Sequence, residues 1–148
     1  HGGRRRGPGR WTRGRVLTSM PSLLDDLNDV RELIQLYIEG SNGDVGKLEA
    51  AFHAEARMFG RLGDNPTSSG PIGDFIEWIG QTPGNAGPNY RADIREIDIS
   101  GDAGVAILVE TDYLGHDFVD YFSVARIDGE WKITNKTYAD MGVTQPAA

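Results

Sequence analysis

The sequence predicts an α+β fold: a cone-shaped, curved antiparallel sheet packed on three N-terminal helices. Three observations predict it. Apolar residues recur at helical spacing up to about residue 81. After Asn89 the period changes to 2. The alternating segments are joined by links too short for anything but hairpins, so consecutive strands form a meander.

Ser22 is a helix N-cap with Asp25 as its capping-box partner. Leu23, Leu27, Val30, Ile34 and Tyr37 then form one apolar stripe. The stretch from Gly40 to Asp44 ends that helix, and Asp44 caps a second one carrying Val45, Leu48 and Phe52 on one face. Residues 55–62 read as a short strand and "GDNPTSSGP" as a loop. Ile72, Phe75, Ile76 and Ile79 mark a third helix, with Trp78 at the edge of its stripe. "QTPGNAGPN" reads as a second loop. Four strands follow, in "YRADIREIDIS", "GVAILVETDYL", "DFVDYFSVARI" and "EWKITNKTYAD". A helix-first chain with such a sheet leaves a space between the layers, filled by large side chains or open as a pocket.

The 148 residues make one domain's length, and no apolar run is long enough to span a membrane. Cysteine is absent, which removes disulfides, thiolate metal sites and cysteine nucleophiles and fits a cytoplasmic protein. With only three histidines, no metal site is expected, and no cofactor either. The net charge of −7 conceals a split. Residues 1–19 hold six of the 15 basic residues and no acid; the rest carries nine basic and 22 acidic residues, or −13. An acidic body does not attract nucleic acid or an anionic membrane. The arm at 1–19 reads as a basic, disordered extension, upstream of a natural start at Met20, with the domain at 20–148.

Two stretches carry a family resemblance: "YIEGSNGDVGKLEAAFHAEARM" (Tyr37 to Met58) and "DYFSVARIDGEWKITNKTY" (Asp120 to Tyr138). They resemble the nuclear transport factor 2-like superfamily, which shares a cystatin-like architecture, and within it the branch known as putative lumazine-binding. The resemblance runs from about Leu23 to Asp140. It implies the cone-shaped fold but leaves function open, because this superfold hosts binding modules, isomerases, dehydratases and cyclases. In the ketosteroid isomerase branch a tyrosine donates to a developing enolate, and Tyr37 in "IQLY" matches it. The matching base position falls on Gly60 and the partner acid near Ser123, so that mechanism does not carry over.

Tyr37 lies on the buried stripe, and a buried phenol needs a partner. His53 suits a helix C-terminus, the reading preferred over catalysis. His116 reads as an exposed turn residue. Glu110, Asp112 and Asp120 form an acidic set that could do acid/base work. If Val109, Thr111 and Tyr113 face inward, though, Glu110 and Asp112 face solvent; Asp120 is left open. No serine sits in a nucleophile elbow, and the glycines match no dinucleotide or phosphate loop. With Trp131 and Ile133 inward, strict alternation places Asn135 inward as well.

The expected function is a small-molecule-binding domain whose apolar pocket is lined by Tyr37, Phe59, Trp78, Tyr121 and Asn135. The alternatives are an acid/base enzyme of isomerase, dehydratase or cyclase type, with Asp120 or His53 as base, and a purely structural module. A homodimer is expected through the outer sheet face, with Ala106, Leu108, Phe122 and Val124 on it.

Overall fold

The computed structural model describes residues 22–146; the basic arm at 1–19 lies outside them. Helix α1 spans Leu23–Gly40. Its start is the expected capping box: the Asp25 N–H donates to Ser22 Oγ (3.1 Å) and the Ser22 N–H to Asp25 Oδ2 (3.2 Å). Val30, Leu33, Ile34 and Tyr37 are its buried face. Helix α2 spans Val45–Ala51, capped by Asp44, whose Oδ1 accepts from the Lys47 N–H. Phe52, expected on this helix, instead opens strand β1 (Phe52–Arg61). Strand β2 (Ser68–Pro71) forms within the predicted first loop, and helix α3 spans Ile72–Gln81. The remaining strands are β3 (Ala86–Ser100), β4 (Ala103–Tyr113), β5 (His116–Ile127) and β6 (Glu130–Val143). Strand β3 takes in the end of the second predicted loop. It tolerates Pro88 because it is an edge strand, where a missing N–H need not break a ladder.

The sheet order is β2-β1-β6-β5-β4-β3. Strands β3 to β6 form the predicted antiparallel meander. Strand β1 joins β6 in parallel, so the curved sheet is mixed rather than wholly antiparallel. The three helices pack on its inner face, as expected.

Two irregularities decide which side chains reach that face. In β6, Ile133 pairs with Val124 but Asn135 pairs with Ser123, so Thr134 is an extra residue. A bulge of this kind reverses the alternation beyond it. Trp131, Ile133 and Lys136 are therefore inward, while Asn135 and Thr137 are not. In β4 the pairing breaks between Glu110 and Tyr113, with Asp112 in the left-handed region at φ 56°. Ala106, Leu108 and Glu110 face inward before that break, and Tyr113 turns inward after it.

The expected dimer face is corrected accordingly. Ala106, Leu108, Phe122 and Val124 lie in the core, against Val30, Ile34 and Tyr37. The outer face carries Val105, Tyr121 and Ser123 instead. One clamp fixes α1 to the sheet. Arg126 donates to Asp26 on α1 (2.6 Å) and to Asp102 (2.8 Å), with its guanidinium 5.2 Å from the Trp131 ring. Among the described residues no helix is long and apolar enough to cross a membrane.

Candidate active or binding site

Between α1, α3 and the sheet lies a cavity of about 270 Å³. Its walls are apolar: Met58, Leu62, Phe75, Trp78, Leu114 and Phe118. Its inner end is polar, and the strand register explains why. Asp120 stands opposite Leu108 and Tyr138, while Glu110 stands opposite Phe118 and Ala92, and Lys136 opposite Phe122. Tyr90, Glu110, Asp120 and Lys136 are thus successive diagonal neighbours on four adjacent strands. Long side chains in that relation can touch.

Glu110 and Asp120 are each 2% exposed and Lys136 is 5% exposed. The Tyr90 hydroxyl donates to Glu110 Oε2 at 2.6 Å. The Glu110 and Asp120 carboxyls are neighbours, one diagonal step apart on β4 and β5. Asp120 Oδ2 is sealed from solvent and meets no donor among the described residues. Two buried carboxyls this close resist being ionised together. Burial first, and then the charge of Asp120, pushes the Glu110 carboxyl well above the ordinary range. Tyr90 and Lys136 oppose that shift in part.

Lys136 reaches the cavity through an aromatic collar. Its Nζ lies 4.2 Å from the Phe75 ring centroid, 5.0 Å from that of Tyr37 and 5.3 Å from that of Tyr138. Such contacts stabilise a desolvated ammonium by about 2 kcal/mol or more each. Burial raises the phenol of Tyr37 well above its usual value, and Asp120 and Glu110 raise it further, so Tyr37 is a neutral donor. Burial likewise keeps Tyr90, Tyr113 and Tyr138 neutral.

Of the residues expected at a pocket, Tyr37 and Trp78 line this one. Phe59, Tyr121 and Asn135 do not. Phe59 pairs with Thr137 and Asn135 with Arg57, all on the outer face, and Tyr121 is 44% exposed there. Asn135, placed inward by strict alternation, was misplaced by the Thr134 bulge. With its amide turned so that both ends are satisfied, its nitrogen donates to the Arg57 carbonyl and its oxygen accepts from Thr137 Oγ1.

The expectation of a solvated acidic face is also overturned: Glu110 and Asp120 are interior, and Asp112 is buried in the β4 bulge. His53 is remote from this cavity, its Nδ1 accepting from the Glu55 N–H. His116 is not a free turn residue; its Nδ1 lies 2.9 Å from Asp140. Asp140 also accepts from the Gly63 N–H at 2.7 Å. Burial works against Asp140's charge, yet His116 and two backbone N–H groups bring its carboxyl below the usual value. Among the described residues no cluster of histidines and carboxylates could hold a metal ion.

Sequence reasoning turned Glu110 towards solvent, gave Tyr113 no place at the site, and missed Lys136 and Tyr138. A signal for the acid pair existed in β5, where Phe118, Asp120, Phe122 and Val124 alternate on one face. The isomerase-type base position is blocked outright. Gly60 has no side chain, and the Tyr138 ring occupies the space where one would stand.

The family model described as "Putative lumazine-binding" matches residues 25–139 of this chain. The chain belongs to that family. Among solved structures, it is similar to a nuclear transport factor 2-like protein of unknown function from Shewanella baltica. That match has 27% identity and a TM-score of 0.73, over 86% of this chain and 100% of the other. A ketosteroid isomerase-like protein from Erwinia carotovora matches at 13% identity and TM-score 0.60, over 80% of this lumazine-binding-family chain and 98% of the other. A putative dehydratase from Streptomyces avermitilis matches at 15% and 0.59, over 80% and 97%. The last two show the shared fold alone. No curated protein matches this member of the family.

Proposed function

We propose that this chain is a small-molecule-binding domain that takes a planar, partly polar organic molecule into the cavity between α1, α3 and the sheet. One observation carries the reading: an apolar cavity ends in polar side chains that the protein itself leaves partly unpartnered. Sites of this kind bind ligands through apolar area and orient them through a few polar groups. The family's description supports a small-molecule ligand. Native mass spectrometry of freshly purified protein tests it. A ligand carried through purification, and lost on Trp78→Ala, is expected. A cavity that retains no ligand and binds no member of an aromatic fragment library would sink the reading.

The Glu110–Asp120 contact favours a second reading, an acid/base enzyme using the same cavity. Pairs of carboxyls pushed apart in proton affinity serve as acid and base in many active sites. The readings separate on Asp120→Asn. An enzyme would lose conversion of its ligand while still binding it, whereas a binding domain would show no conversion before or after the change.

The reading also includes a homodimer through the outer sheet face, where Val105 and Tyr121 are exposed on adjacent strands. Light scattering at micromolar concentration would expose a monomer.

A further inference from the structure

The inner end of the cavity gathers polar groups that constrain the ligand. The groups facing it are Tyr37 from α1, Tyr90 from β3, Glu110 and Tyr113 from β4, Asp120 from β5, and Lys136 and Tyr138 from β6. Helix α3 contributes only the rings of Phe75 and Trp78. The four phenols are neutral. Glu110 and Asp120 are the carboxyls of the site, and Lys136 is its basic group.

Two donors at this end of the cavity have no acceptor among the described residues. Lys136 Nζ makes no hydrogen bond and no ion pair within 4.0 Å among the described residues, although the side chain is 95% buried. The Tyr37 hydroxyl has no hydrogen-bond partner among them either, and Tyr37 is 1% exposed. Both side chains line the cavity, with Nζ held 5.0 Å from the Tyr37 ring centroid. A desolvated ammonium without an acceptor is costly. The rings compensate its charge but not its three directional donors.

We infer that Lys136 and Tyr37 form an oxyanion site: the ligand is a planar organic acid whose anionic oxygen accepts from both, and its binding draws a proton onto the Glu110–Asp120 pair. This inference rests on the cavity-binding reading above and adds the ligand's chemical class to it. An incoming anion satisfies the two idle donors but adds a negative charge beside two buried carboxyls. In a low-dielectric cavity that charge raises the proton affinity of the adjacent carboxyls. One proton taken up offsets the added charge. A neutral ligand of the same shape satisfies the donors less strongly and has no reason to take up a proton.

Isothermal titration calorimetry with 2-naphthoate and its neutral counterpart 2-naphthamide tests this, from pH 6 to 8 in buffers of different ionisation heat. Naphthoate is expected to bind at least about tenfold more tightly than the amide at pH 6, with measurable proton uptake. Its affinity is expected to rise by up to about tenfold for each pH unit lost, while that of the amide stays flat. Lys136→Met should abolish the discrimination between the two probes. Should that variant fail to fold, Tyr37→Phe must reduce the discrimination, and the proton uptake by the unaltered protein still decides. Equal affinity for both probes, or naphthoate binding without proton uptake, would overturn the oxyanion site while leaving the cavity reading intact. Binding of neither probe at millimolar concentration would overturn both.

Discussion

Glu110 and Asp120 lie on adjacent strands, one diagonal step apart, and burial together with the charge of Asp120 pushes the Glu110 carboxyl well above the ordinary range. The folded protein therefore holds a proton that the unfolded chain releases above the ordinary glutamate value, near 4.5.

Linkage gives this a sign. For an acid whose folded-state pKa is raised, stability is fully present below the unfolded value and is lost as pH rises towards the folded one. Thermal unfolding between pH 5 and 9 should show this loss, with a slope of up to about 1.4 kcal/mol per pH unit while the window is crossed. Glu110→Gln keeps the shape and removes the titration, so its slope should be shallower. Parallel slopes for the two proteins would show that Glu110 does not hold the proton.

Tyr37→Phe removes a hydroxyl that bonds to nothing in the described protein. Denaturant unfolding should therefore change by less than about 0.5 kcal/mol. Ligand affinity should weaken by roughly 0.5–1.5 kcal/mol, the worth of one hydrogen bond. A large stability loss with unaltered affinity would place the hydroxyl in a structural role.

Gly60 pairs with Tyr138 across β1 and β6, and the Tyr138 ring lies where a side chain at 60 would be. Gly60→Ala should cost about 1–3 kcal/mol through overpacking. The displaced ring should also intrude on the cavity and weaken binding. Combining it with Tyr138→Ala should recover much of the stability loss, and a double-mutant cycle would reveal the coupling.

Arg126 pairs with Asp26, which is 5% exposed. Arg126→Met would leave that carboxylate buried and alone, a loss of about 3–5 kcal/mol. Asp26→Asn in the same background should restore part of it. Chemical denaturation of the single and double variants measures both steps.

The local elements were legible in the sequence because they depend on neighbours along the chain. The Ser22–Asp25 capping box, the stripe from Val30 to Tyr37, the Asp44 cap and the turn at Asp128-Gly129 all involve residues within a few positions of one another. The two stretches around Tyr37–Met58 and Asp120–Tyr138 were enough to indicate the family. Phase within the strands was not legible. "AILV" in β4 is apolar on both faces, so it gives alternation no starting point, and Tyr113 lies beyond a bulge that makes it a false reference.

The same reason accounts for Asn135 and Lys136. One extra residue at Thr134 exchanges the faces of everything after it, and that residue is extra only relative to the partner strand β5. A bulge belongs to a pair of strands rather than to either sequence. The sequence by itself determined the helices, the meander and a buried Tyr37. Only the tertiary pairing decided that Glu110, Asp120 and Lys136, carried on three different strands, would meet beside it. Their encounter depends on register across the sheet, which no spacing along the chain encodes.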